Sequence, residues 1–238
     1  MSRFVLITRH PAECARLQEL VRPGGITLRP YPVFRLENVD DHQGWATVSA
    51  QTPAPSWLIM ASPRAPQRLV EQARNRRVDR LLELSTAVVG EGTASASVAA
   101  GITPELVGPG TGSGLARQLI DLWTSPTTAV FACGRDRRPE LPDTLTGAGH
   151  RVLPLELYRM RPTPPRELPP LGPSLDAVIV TSPRAARLYL DGVGGRPLPC
   201  RHWALGPTTR DAARSMGIDC LIPPEPNLES LAEELCRN

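Results

Sequence analysis

Short apolar runs alternate along the chain with segments whose apolar residues recur at three- and four-residue spacing. The runs at residues 4–8, 26–34, 57–61, 87–90, 129–133, 152–158, 177–181, 202–205 and 220–222 predict strands. The periodic segments at residues 11–21, 66–75, 113–123, 185–190 and 227–236 predict helices. Strand followed by helix, repeated, predicts an α/β fold with mainly parallel sheets. Two runs, 28–36 and 152–160, exceed the usual strand of about five or six residues and are expected each to leave one sheet and cross to another.

The pattern is used twice. Ser62-Pro63-Arg64-Ala65 returns as Ser182-Pro183-Arg184-Ala185, 120 positions later, each after an apolar run and before a helical one. Val89-Gly90-Glu91-Gly92-Thr93 with Gly101 is answered by Leu205-Gly206-Pro207-Thr208-Thr209 with Gly217 at an offset of 116, and Leu115 and Leu119 find Leu231 and Leu235 at the same offset. Gly25, Leu28, Phe34 and Arg35 match Gly149, Val152, Tyr158 and Arg159 at an offset of 124. Two copies of one supersecondary plan predict two similar parallel-sheet α/β lobes with a crevice between them. The two long strands would join the lobes as a two-stranded antiparallel linker, stiffened by Pro162-Thr163-Pro164-Pro165.

Composition narrows the chemistry. With 41% hydrophobic and 21% charged residues the chain reads as an ordinary soluble globular protein, while 27 prolines and 4% aromatics indicate stiff turns and modest cores. The apolar run at residues 4–7 is too short for a signal-peptide core and no stretch reaches the length of a membrane span, so a cytoplasmic protein with no membrane partner is expected. All 27 basic residues are Arg, which excludes a Schiff-base lysine and a phosphate-loop lysine. A net charge of +3, dispersed along the chain, leaves no nucleic-acid footprint. Five scattered cysteines and four dispersed histidines predict reduced thiols and no metal site. A monomer is the simplest expectation.

The remaining chemistry sits at strand-to-helix turns. In each Ser-Pro-Arg-Ala copy the serine suits an N-cap and the proline the first helical position, which leaves N–H groups and the positive helix end facing outward. One copy alone is accounted for as a helix start; two, both after strand C-termini, describe the usual location of an anion-binding crevice. Gly90-x-x-Thr93 and Gly206-x-x-Thr209 are turns of the same kind, whose threonines can cap a helix or reach a ligand oxygen. Thr8-Arg9 and Cys133-Gly134-Arg135 add a third turn to each lobe. Such a surface suits a flexible ligand bearing many carboxylates. Gly108-Pro109-Gly110-Thr111-Gly112-Ser113-Gly114 departs from the dinucleotide fingerprint and reads as a mobile loop ending in the N-cap Ser113. Tyr158, on the second long strand, serves either packing or proton donation, since a phenol with pKa ~10 is protonated at neutral pH.

Taken in order, these residues resemble the uroporphyrinogen-III synthase family. The likeness runs through Thr8-Arg9, Ala61-Ser62-Pro63, Val89-Gly90-x-x-Thr93-Ala94, Cys133-Gly134-x-x-x-Arg138, Tyr158-Arg159, Thr181-Ser182-Pro183, Leu205-Gly206-Pro207-Thr208-Thr209 and Leu228-x-x-Leu231. The resemblance implies a discontinuous domain of residues 1–35 and 163–238, a second of residues 40–156, and linker strands at 34–40 and 155–163. It implies a hydro-lyase of porphyrin and heme biosynthesis that cyclises hydroxymethylbilane, a linear tetrapyrrole rich in carboxylates, to uroporphyrinogen III. Water is lost and ring D inverted, through a spiro intermediate, with no metal or organic cofactor. By the same resemblance, Thr8, Arg9, Ser62, Arg64, Thr93, Gly134, Arg135, Ser182, Thr208 and Thr209 face the substrate in the cleft between the domains, and Tyr158 assists departure of the hydroxyl. Ala61 departs from the hydroxyl residue frequent at its position. The other reading the residues leave open is a non-catalytic two-lobed protein that binds tetrapyrroles or other carboxylates.

Overall fold

The computed structural model describes residues 3–172 and 174–237. The chain divides into two compact units, Met1–Arg35 with Arg161–Asn238, and Leu36–Met160. In chain order the strands are β1 Arg3–Ile7, β2 Ile26–Pro30, β3 Phe34–Asn38, β4 Trp57–Met60, β5 Ser85–Val88, β6 Leu106–Val107, β7 Thr128–Gly134, β8 Arg151–Pro162, β9 Ala177–Val180, β10 Arg201–Ala204 and β11 Cys220–Leu221. The α-helices are α1 Ala15–Val21, α2 His42–Ala50, α3 Ala65–Arg76, α4 Glu91–Ala99, α5 Gly112–Leu122, α6 Glu140–Gly147, α7 Pro183–Gly192, α8 Pro207–Arg214 and α9 Leu228–Arg237.

The first unit holds a sheet in the order β11-β10-β9-β1-β2, parallel throughout. The second holds β3-β8-β7-β4-β5-β6, in which β8 through β6 are parallel. Matching β9, β10, β11, β1 and β2 with β4, β5, β6, β7 and β8 makes the two orders identical. The copies differ in where the chain enters: the strand pair that opens the first unit corresponds to the pair that closes the parallel run of the second.

Parallel strands need crossover helices, and helices on both faces bury both sides of each strand. Alternate residues therefore join different cores. In the first unit Val5, Ile7 and Ile179 pack with Leu17, Val21, Leu231 and Leu235, while Leu6, Val178 and Val180 pack with Ala186 and Tyr189. In the second, Leu58 and Met60 meet Leu69 and Ala73 of α3, while Ile59 and Phe131 meet Leu115 and Leu119 of α5. This two-sided burial explains why the central strands read as unbroken apolar runs instead of alternating ones.

Residues 26–34 are not one strand. Proline at positions 30 and 32 removes two ladder donors, and the chain turns between β2 and β3 with Tyr31 N donating to Ile7 O at 2.8 Å and Val33 N to Tyr31 O at 2.8 Å. β8 does run long, over 12 residues. Its Pro154 is exposed, on a stretch where β3 has not yet joined. Val39 N donates to Leu157 O and Thr163 N to Val33 O, and both bonds fit one antiparallel register of β3 with β8. Helices α2 and α6 lie outside the expected set because each buries only two side chains, Trp45 with Val48 and Leu141 with Leu145.

The first unit also contains a buried polar chain. Leu198 N donates to the Tyr189 hydroxyl at 3.0 Å, and that hydroxyl lies 2.9 Å from His202 Nε2. With the phenol oxygen accepting from Leu198, its proton is directed at Nε2, which fits a neutral imidazole. Burial lowers the His202 pKa, and a backbone hydrogen bond at Cys200 opposes that shift. The unfolded chain then binds the extra proton more readily than the folded one, so stability is full above the ordinary histidine range and is lost as pH falls through it. Urea denaturation is expected to show a lower midpoint at pH ~5 than at pH ~7.5, and His202→Gln is expected to shrink that difference.

Candidate functional site

Parallel strands place all their C-terminal ends on one edge of a sheet, and the helices that follow present free N–H groups there. In the first unit this edge carries Thr8 after β1, Thr181 and Ser182 after β9, and Gly206 after β10. Ser182 N-caps α7, accepting Ala185 N at 3.1 Å, with Pro183 at the first helical position. Thr8 is buried; its Oγ1 lies 3.1 Å from Thr181 Oγ1 and accepts Thr181 N at 3.1 Å. Arg9 is half-buried and Thr208 exposed at the start of α8, whereas Thr209 points inward at 8% exposure.

In the second unit the matching edge carries Ala61 and Ser62 after β4, Gly90 after β5, and Gly134 at the end of β7. Strand registers place Ala132 opposite Met60 and carry Thr8 to the matching place beside Val180. The hydrogen-bonded pair Thr8 and Thr181 is thus replaced in the second unit by Ala132 and Ala61. Removing both partners of a buried hydrogen bond strands no polar group, so the missing hydroxyl at Ala61 is a balanced exchange within the fold.

The first Ser-Pro-Arg-Ala copy differs from the second. Ser62 does not cap a helix: α3 begins at Ala65, and Ser62 instead closes a turn, its Oγ accepting Arg64 N at 3.3 Å and its carbonyl accepting Ala65 N. The Ser62 side chain is also hydrogen-bonded to the Tyr158 phenol. Thr93 is buried at 2% exposure, as Thr209 is at the matching place, so both threonines serve packing inside their helices. Arg135 is exposed and engaged by Glu156, Nε to Oε2 at 2.8 Å. The helix α5 is capped by Thr111, which accepts Gly114 N at 3.2 Å, and not by Ser113. The glycine-rich segment before it is tied to β5, with Gly108 N donating to Val88 O and Gly110 N to Val89 O. A β-carbon at Gly90 would lie 3.0 Å from Gly110 Cα, so the backbones meet there because both residues are glycine.

Tyr158 reaches this edge through an irregularity. β7 and β8 pair Cys133 with Glu156 but Gly134 with Tyr158, so one extra residue is inserted into β8. Leu157 and Tyr158 consequently both turn into the core. The Tyr158 ring then lies on Gly134, where an added β-carbon would stand 2.6 Å from its Cε2. Burial raises the phenol pKa above its ordinary value; the Ser62 hydrogen bond and the nearby Arg64 and Arg68 act against that rise, and Cys133 adds to it. The group is a protonated phenol at neutral pH. Cys133, pushed up to about 12 mainly by burial, is equally a neutral thiol.

Tyr158, Ser62, Arg64 and Gly134 line one cavity of about 610 Å³ within the second unit. Its wall also includes Thr111 and Ser113 at the start of α5, and Arg137, Arg138 and Arg159. Arg137 is paired with Glu156 at 2.8 Å and Arg159 with Glu37 at 2.9 Å, while Arg138 has no ion-pair partner among the described residues. Three helix starts and a set of guanidinium groups make this wall suited to anions. The residues missed from sequence, Thr111, Ser113, Arg137 and Arg159, carry no local signature; Arg138 lay within the Gly134-x-x-x-Arg138 spacing. No group of three or more potential metal ligands occurs among the described residues.

A sequence model of the family described as uroporphyrinogen-III synthase HemD matches residues 15–233. A uroporphyrinogen-III synthetase from Helicobacter pylori matches in structure with a TM-score of 0.69 at 16% identity, covering 100% of this chain and 99% of that one. A mutant uroporphyrinogen III synthase from Thermus thermophilus matches with a TM-score of 0.60 at 20% identity, covering 99% of this chain and 98% of that one. At such identities the two structures show a shared fold. No curated protein matches the chain. With the family match spanning nearly its whole length, the chain belongs to the uroporphyrinogen-III synthase family.

Proposed function

We propose that the protein acts as a hydro-lyase that cyclises hydroxymethylbilane to uroporphyrinogen III, with Tyr158 as the proton donor to the departing hydroxyl. The observation that carries this reading is a buried, protonated phenol, held by Ser62 on the bare backbone of Gly134, in the wall of an arginine-lined cavity. In the step it serves, the carbon–oxygen bond of the hydroxymethyl group breaks, the phenol proton passes to that oxygen, and water leaves. Electrons from the adjacent pyrrole stabilise the resulting carbon centre, ring D attacks it to give the spiro intermediate, and the proton released on final closure restores the phenol.

Carboxylate contacts in this reading come from helix starts and guanidinium groups: Ser62, Arg64 and Arg138 in one unit, Arg9, Ser182 and Thr208 in the other. Gly134 contributes by making room for Tyr158. Thr8 holds the strand edge through Thr181, and Thr93, Arg135 and Thr209 support the turns from which those contacts are made. The isomer formed is decided by positioning, since closure without inversion is chemically open to the bilane on its own. The protein is taken to work as a cytoplasmic monomer without nucleic-acid partners, the setting that fits a water-soluble polyanionic substrate. No helix among the described residues is long and apolar enough to cross a membrane.

Purified protein supplied with hydroxymethylbilane is expected to give mainly the type III isomer after oxidation and chromatographic separation. Type I alone would contradict the assignment, and tight binding without conversion would favour a non-catalytic binder. Gly134→Ala should displace the Tyr158 ring and lower kcat about 100-fold, the scale of an ~1 Å misplacement of a reacting group. Far-UV circular dichroism is expected to stay unchanged in that variant; wild-type turnover in it would remove the ring's position from the mechanism.

A further inference from the structure

We propose that Arg68 is a positioning residue for Tyr158: its guanidinium, one turn beyond Arg64 on α3, lies over the phenol ring and holds that ring in place together with the Ser62 hydroxyl and Gly134. The inference rests on the reading of Tyr158 as proton donor and deepens it. Arg68 Cζ is 5.8 Å from the ring centroid. Its Nη1 donates to Arg64 O at 2.9 Å, which ties the side chain back to the turn carrying Ser62 and Arg64. Its Nε is buried and meets no acceptor among the described residues. A guanidinium partly withdrawn from water with one donor unused is an expensive way to fill space on a helix, where an apolar side chain of the same length would leave nothing unmet.

The position accounts for the choice. The face of an aromatic ring attracts a cation, and the attraction is stronger where water is excluded. Ser62 and Arg64 face Tyr158 from the turn after β4, Arg68 from α3 and Cys133 from β7, and Glu71 stands beside Arg68. With Gly134 beneath one part of the ring and Arg68 over it, the phenol is confined from two directions while its hydroxyl stays with Ser62. The cation also favours the phenolate, making the proton easier to give up against the opposing effect of burial. Arg68 does not line the cavity, so it acts through Tyr158 and not on substrate.

Ultraviolet titration of tyrosinate tests this directly, because the chain has 3 tyrosines and subtracting the Y158F curve isolates one. R68M is expected to move the Tyr158 ionisation to higher pH, and R68K to leave it near the wild-type position. With hydroxymethylbilane, R68M is expected to lower kcat about fivefold at unchanged KM, the scale of one partly desolvated cation–π contact. R68K should restore most of the rate, and R68M placed in the Y158F background should cost nothing further. An unmoved titration in R68M, or an equal loss of rate in both backgrounds, overturns the inference. Wild-type turnover by Y158F with a titration that still responds to R68M would instead overturn the proton-donor reading and leave the Arg68 contact standing.

Discussion

The ring of Tyr158 occupies space that a β-carbon on residue 134 would need, and the site depends on that exclusion. β7 can end under an aromatic ring only because Gly134 has no side chain. β8 can aim the ring there only because one inserted residue breaks the alternation that would otherwise send Tyr158 outward. Ser62 then reaches the phenol from the neighbouring turn. Remove the bulge or the glycine and the same residues would still fold as a sheet, but without a protonated phenol in the cavity wall.

The doubled plan supplies the scaffold for this contact and shows which features belong to folding. Thr93 and Thr209 occupy equivalent places and are equally inward, so their recurrence reflects a shared helix start. The pair Thr8 and Thr181 becomes Ala132 and Ala61 without stranding a polar atom. By contrast, Ser62 and Ser182 recur in sequence and diverge in use: one caps a helix, the other turns toward Tyr158. A repeated motif whose copies have taken different tasks marks where the second unit departs from scaffold toward chemistry.

Much of this was legible in the residues. Apolar runs separated by helical spacing gave the α/β class, because strands covered on both faces need no polar side, and the offsets of 120 and 116 reappear in the strands β4 and β9, β5 and β10. Residues 28–36 misled because apolar character continues through Tyr31 and Val33, both fully buried, although the prolines at 30 and 32 end the ladder. The helix cap at Thr111 was misplaced at Ser113 because two hydroxyl residues lie within one turn and only geometry chooses between them. The role of Gly134 was out of reach for a different reason: a bulge is a relation between two strands, and the spacing within either one does not record it.

The comparison that bears most directly on this account is kcat for wild type and Tyr158→Phe, measured with hydroxymethylbilane from neutral pH to beyond the ordinary phenol pKa of ~10. A proton-donating phenol predicts a wild-type rate that holds through neutrality and falls on the alkaline side as Tyr158 ionises, and a slow variant without that alkaline limb. A variant with the wild-type rate and the same alkaline fall would contradict it.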